Sequence, residues 1–262
     1  MAGPGTGIRR PGITIRVSGS LVMKFIDEIR ALGKGLDGPL AALCDEVIAD
    51  LSEKPGKTPA TVIGIPCTHD PDDHEFETQL GDELIQAFNS HLAESCFVFS
   101  AEHFSNPFDW QKEIARTVAV AERAAKVLGG QVKLDPSKFD QPDLAMSRCL
   151  MHLQESDPAL VVAGLDSEAG HTLSGVLGHQ IVHGLALPPG GRRLHRLSQE
   201  ARTRVTLLRA TRLAAGQPFT VLFGWLHASE FKSWAARRRK LDYTYWVPAS
   251  IKARAMALGV TP

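Results

Sequence analysis

Apolar positions recur three and four residues apart through residues 21–51: Phe25, Ile29 and Leu32, then Leu40, Leu43, Val47 and Leu51, with a break at Gly33-Lys34-Gly35. That spacing gathers the apolar side chains on one face of each of two amphipathic helices. Residues 52–59 are polar, carry Pro55 and Pro59, and read as a linker; residues 3–12 read as a frayed tail. From residue 60 the pattern changes. Short apolar runs at 61–66, 96–101 and 159–165, and a shorter one at 131–134, alternate with helical stretches at 76–92, 109–128, 143–155 and 172–187. Strands alternating with helices of this length predict βαβ units and a mainly parallel sheet.

Pro188-Pro189-Gly190-Gly191 then breaks the chain. Beyond it the pattern predicts an Arg-rich helix at 198–215, a strand at 219–225 and a helix at 229–240. Trp225, Trp234, Tyr243, Tyr245 and Trp246 fall in the last forty positions, as the core of this section or the wall of a pocket. The expected fold is α/β, a Rossmann-like sheet flanked by helices, in three sections. Residues 1–58 form a tail and helical segment, 59–190 the α/β core, and 191–262 an Arg- and aromatic-rich α+β section packed on that core.

Composition narrows the function classes. A chain of 262 residues can bury a substantial core, and its 29 basic residues are matched by 29 acidic ones. Zero net charge argues against broad electrostatic binding to nucleic acid or an anionic membrane. The local basic clusters, Arg192-Arg193, residues 202–212 and Arg237-Arg238-Arg239-Lys240, read as solvated helix faces before they read as a phosphate surface. Cys44, Cys67, Cys96 and Cys149 are scattered with no CxxC pair; Cys67 and Cys96, at the edges of apolar runs, read as small buried hydrophobes. The expectation is a reduced, cytoplasmic protein. Residues 1–16 lack the apolar region of a secretory signal. No run approaches the ~18 apolar residues of a membrane span.

In an open parallel sheet, ligands bind outside the carboxyl ends of the strands. The residues there are rich in imidazole and carboxylate. Cys67-Thr68-His69-Asp70-Pro71-Asp72-Asp73-His74-Glu75 follows the first run, Glu102 and His103 the second; Asp166, Glu168 and His171 come after 159–165, and His227 and Glu230 after 219–225. Such donors suit zinc, and three of them with one open position would make hydroxide from bound water. Glu102, His103 and His227 are the candidate substrate-binding residues. His179-Gln180-Ile181-Val182-His183 has the i, i+4 histidines of a zinc-protease helix, with Gln180 where the general base would stand. His195 reads as lying on a solvated turn, or as facing a phosphate.

The run His69-Asp70-Pro71-Asp72-Asp73-His74-Glu75, the strand at 157–162 and His171-Thr172-Leu173-Ser174-Gly175 resemble, in order, motifs of the LmbE/PIG-L family of zinc-dependent N-deacetylases. That family has a strand followed by His-Pro-Asp-Asp-Glu and, later, His-Pro-Asp-His-x-x-x-Gly. The resemblance spans about residues 60–187. In this chain Asp70 is inserted before Pro71, Glu168-Ala169-Gly170 stands for the second His-Pro-Asp, and Glu77-Thr78-Gln79 replaces a glycine-rich helix start. The resemblance implies a zinc cofactor held by His69, Asp73 and His171, with Asp72 as general base for amide hydrolysis of a small N-acylated substrate. Two alternatives stay open. One is a non-catalytic Rossmann-like protein holding a nucleotide or phosphorylated ligand with help from Arg192, Arg193 or His195, though without a Walker A loop or GxGxxG. The other is an interaction scaffold. The expected partner is a small molecule, with self-association open.

Overall fold

The computed structural model describes residues 19–36, 38–92, 96–130, 135, 139–238 and 240–259. Five strands, β1 (Thr61–Cys67), β2 (Phe97–Ser100), β3 (Val161–Gly164), β4 (Phe219–Gly224) and β5 (Asp242–Tyr245), form one sheet in the order β3-β2-β4-β1-β5. Every neighbouring pair is parallel. The expected Rossmann-like α/β architecture is therefore present, with an all-parallel sheet.

Parallel strands cannot be joined by tight hairpins, so each needs a crossover. Helix α3 (His74–Ala87), extended by a π-helical turn (Phe88–Leu92), carries the chain from β1 to β2; α4 (Trp110–Val127) and α5 (Ala145–Ser156) lead to β3. Helices α6 (Glu168–Val182) and α7 (Gly191–Ala214) lead to β4, α8 (Ala228–Ala236) leads to β5, and α9 (Ala249–Ala257) follows. Helices α1 (Gly19–Gly33) and α2 (Gly38–Leu51) precede β1.

The chain crosses the sheet one way from β1 through β2 to β3, then back through β4 to β5. Crossovers of a single hand must put the outbound helices on one face and the returning ones on the other. Packing follows this partition for α3 and α5 on one face and α7 and α8 on the other, while α4 packs on α6. Leu80 and Leu84 of α3 and Met146 and Leu150 of α5 share a core with Ile65, Val98 and Leu222. Leu207 and Ala210 of α7 and Phe231 of α8 share another with Val62, Phe99, Phe219 and Phe223. The two-residue alternation of a strand supplies both faces, as with Val98 and Phe99.

A third core lies outside the sheet. Ile29, Leu43 and Val47 of α1 and α2 pack on Leu173 and Leu177 of α6 and on Leu194 and Leu197 of α7. Helix α7 is thus covered by the sheet along one part and by helices along another, and 13 of its 24 residues are buried. An Arg-rich helix in that position must pair its charges, because an unpaired buried cation is costly.

Several boundaries differ from expectation. Helix α7 begins at Gly191, seven residues before the predicted start, because Gly190 takes a left-handed φ of 72° and turns the chain directly into the helix. Strand β5 and helix α9 were not anticipated as elements. His195 lies within α7 and is half-buried, and Cys96 is exposed; both readings are corrected. The predicted strand at 131–134, the tail at 3–12 and Arg239 lie outside the described residues. Among the described residues, no helix is long and apolar enough to cross a membrane.

Candidate functional site

Strand register fixes which residues meet at the carboxyl edge. Ser100 pairs with Leu222 on one side and Gly164 on the other. Two residues further on, Glu102, Gly224 and Asp166 therefore stand at one level across β2, β4 and β3. Beside them β1 and β4 part, one leading to α3 on the first face and the other to α8 on the second. A crevice forms where neighbouring strands send their chains to opposite faces.

A buried ionic network fills this edge. Arg202, on α7, directs Nε to both Asp166 oxygens at 3.0 and 2.9 Å and Nη2 to Glu102 Oε2 at 2.8 Å. Glu102 Oε1 accepts from the Gly224 N–H at 3.0 Å and lies 3.0 Å from His227 Nε2. His227 Nδ1 is 2.6 Å from Thr203 Oγ1, and His171 Nδ1 is 3.2 Å from Asp166 Oδ2. Burial alone would raise the pKa of both carboxyls. Arg202 and the neighbouring imidazole, His227 at Glu102 and His171 at Asp166, together outweigh it, so Glu102 is held well below the usual range and Asp166 is also lowered. Gly224 leaves room for this carboxylate: a Cβ on it would sit 2.3 Å from Glu102 Oε1 and displace it.

The loop after β2 is fixed from three directions. Glu113 accepts the N–H groups of Phe104 and Ser105 at 2.8–3.0 Å. Arg116 donates to the Phe104 carbonyl. On the third side, Gly164 lies so close that a Cβ would stand 2.4 Å from the His103 carbonyl carbon. The held residue is His103. Its Nδ1 is 2.7 Å from Ser100 Oγ and its Nε2 3.2 Å from Ser147 Oγ, on the first turn of α5. Phe108 packs edge-on against the ring at 5.5 Å. Burial pushes the His103 pKa below its ordinary 6.5, so the ring is neutral at pH 7.

His69, Glu102, His103 and Ser147 line one cavity of about 220 Å³, which Trp110 and Ile114 of α4 and Leu144 wall with apolar surface. The structure thus unites three of the sequence-selected residues, His69, Glu102 and His103, and joins a fourth, His227, to Glu102. A larger cavity of about 440 Å³ at the end of β3 is lined by Arg116, Arg123, Arg209 and Arg212. Each of these is already paired: with Glu168 at 3.6 Å, Glu46 at 2.7 Å, Asp50 at 2.9 Å and Glu53 at 2.9 Å. Arg193, considered for a phosphate, is paired with Glu28 at 2.7 Å.

The remaining residues expected to carry chemistry have other partners. Asp73 caps α3, accepting from the Phe76 N–H at 3.0 Å, and pairs with Arg254 at 3.2 Å. Asp72 is exposed on the turn before α3. His69 Nδ1 lies 4.0 Å from Glu77 Oε1, and Glu77 itself ties the β1 loop to α5 by accepting from Asp70 N–H at 2.6 Å and Ala145 N–H at 2.7 Å. His171 belongs to the Asp166 network. Among the described residues, no group of three or more His, Cys, Asp and Glu could hold a metal ion. The donor set His69, Asp73 and His171 does not fit zinc in this arrangement. The rings of His179 and His183 lie 4.3 Å apart between centroids, tilted by 45°, two donors without a third among the described residues. Sequence reasoning missed Arg202, Thr203, Ser100, Ser147, Glu77 and Glu113.

Comparison of the chain with protein-family models, with curated proteins and with solved structures finds no match.

Proposed function

We propose that the protein is a hydrolase acting on a small acylated substrate in the cavity at the ends of β1 and β2, with His103 as general base. One observation carries this reading: a neutral imidazole, oriented at both ring nitrogens, lies in the wall of a cavity large enough for a small acyl group. A base that is already neutral at pH 7 needs no proton loss before it acts. The apolar wall of Trp110, Ile114 and Leu144 favours an uncharged acyl part. Glu102 and Glu113 on the same cavity disfavour an anionic one. The Arg202 network serves as the rigid floor that fixes Glu102 and His227, consistent with positioning more than proton transfer. Four free cysteines, three of them buried, fit a reducing compartment such as the cytoplasm.

The test is hydrolysis of a panel of p-nitrophenyl esters and N-acyl anilides by the full chain, beside His103→Gln. Loss of a general base costs about 10²–10⁴-fold in rate. Turnover that falls by that factor in the variant supports the assignment. Absence of turnover in the wild type across the panel, or equal turnover in both proteins, overturns it.

A further inference from the structure

We propose that Ser147 is the nucleophile of this site, so that hydrolysis passes through a covalent acyl-serine; the inference rests on the reading of the cavity as a hydrolase site. Ser147 and His103 are both almost fully buried from bulk solvent, yet both face the cavity, so their 3.2 Å contact is directed into the space a substrate would fill. Ser100 makes the contact productive. Its Oγ accepts the Glu102 N–H at 3.2 Å and its hydroxyl proton is directed at Met146 Sδ, also 3.2 Å away. In the His103 tautomer that this scheme requires, Ser100 Oγ, 2.7 Å away, accepts the Nδ1–H. The ring proton is then on Nδ1, and the Nε2 lone pair faces the Ser147 hydroxyl. Ser100 is a positioning residue in this scheme; it touches no substrate.

Water is the one co-reactant. Ser147 Oγ bonds to the acyl carbon as its proton passes to His103 Nε2. The carbonyl π pair moves onto oxygen, then returns and expels the alcohol or amine, which takes the proton from Nε2. Water next attacks the acyl carbon and gives its proton to Nε2. Collapse frees Ser147 Oγ, which recovers that proton, and the acid is released. Ser147 is the third residue of α5; Glu77 takes the Ala145 N–H of that first turn at 2.7 Å, while the N-cap Leu144 offers no side-chain acceptor to the amides of Met146 and Ser147. Amides at a helix start are suited to stabilise the oxyanion formed beside Ser147.

The experiment treats the full chain with an alkyl fluorophosphonate, which transfers its phosphonyl group to an activated serine oxygen and releases fluoride. Intact mass and peptide mapping then locate the adduct. Expected is one adduct per chain on Ser147, absent in Ser147→Ala, together with a burst of p-nitrophenol equal to the enzyme concentration on p-nitrophenyl butyrate. Mapping in the wild type answers the question even where the alanine variant folds poorly. Ester turnover that survives intact in Ser147→Ala, with no adduct in the wild type, overturns the nucleophile and leaves His103 activating water directly. No ester turnover and no adduct in the wild type overturns the hydrolase reading, and the nucleophile with it.

Discussion

Replacing Arg202 with methionine keeps most of the aliphatic volume and removes the guanidinium from between two acids. The Asp166 side chain is 0% exposed and that of Glu102 19%, so neither can recover full hydration. Breaking a buried ion pair from one side costs about 3–5 kcal/mol. The loss stays in that range, although two carboxylates are involved, because each keeps other partners. Asp166 retains the Ser167 N–H at 2.7 Å, and Glu102 retains the Gly224 N–H and His227 at 3.0 Å. At about 2–4 °C per kcal/mol for a chain of this size, Tm should fall by roughly 6–20 °C. The sign of the pH dependence is fixed too. Both carboxyls have folded pKa values lowered below the unfolded ones, so in the wild type their contribution is present above pH ~4 and is lost as pH falls through the folded values. In Arg202→Met the same carboxyls are buried without their cation, their pKa values rise, and protonation in acid relieves them. The stability gap between the two proteins should therefore narrow from pH 7 to pH 4, measured by urea unfolding at each pH. A gap under about 1 kcal/mol at pH 7, or one that widens in acid, would refute the assignment of the network as a charged, buried unit.

Three further outcomes are expected. Gly224→Ala forces Glu102 from its seat and should lower stability by about 1–3 kcal/mol, visible in a thermal melt, with a melt like the wild type counting against the close approach. Titration of the native protein with a disulfide reagent should give one fast thiol, Cys96, and four thiols in denaturant. Burial protects the others, pushing Cys67 well up and Cys44 up to about 11. Dialysis against EDTA should leave ester turnover undiminished, since the donors of the sequence-predicted zinc set do not converge; loss restored by added zinc would reverse that conclusion.

The layout of the sheet was legible in the sequence because most of its strands are apolar runs bounded by helices of regular period. Strand β5 was not, since its burial alternates between half-buried and exposed residues at the sheet edge, and Tyr243 and Tyr245 read equally well as core aromatics. The carboxyl-edge rule selected His69, Glu102, His103 and His227 correctly as neighbours. It could not select Arg202, whose place in an arginine-rich stretch looks like a solvated face. Its partners Glu102 and Asp166 lie 100 and 36 residues away. Ser100 and Ser147 carry no sequence signal at all; the register of β2 and the first turn of α5 bring them to the two nitrogens of one ring. Asp73 shows the converse failure. A carboxylate just before a helix serves equally as metal donor or as N-cap by sequence, and the structure uses it as the cap.

The pH dependence of kcat/KM for p-nitrophenyl butyrate, in the wild type and in His103→Gln, tests the assignment of His103 most directly. A general base acts in its neutral form, so the rate should be flat near pH 7 and fall in acid through the lowered pKa of His103, with a midpoint below 6.5. In His103→Gln that limb should vanish along with most of the rate. An acid limb that persists unchanged in the variant would show that another group supplies the base, and would contradict the role assigned to His103.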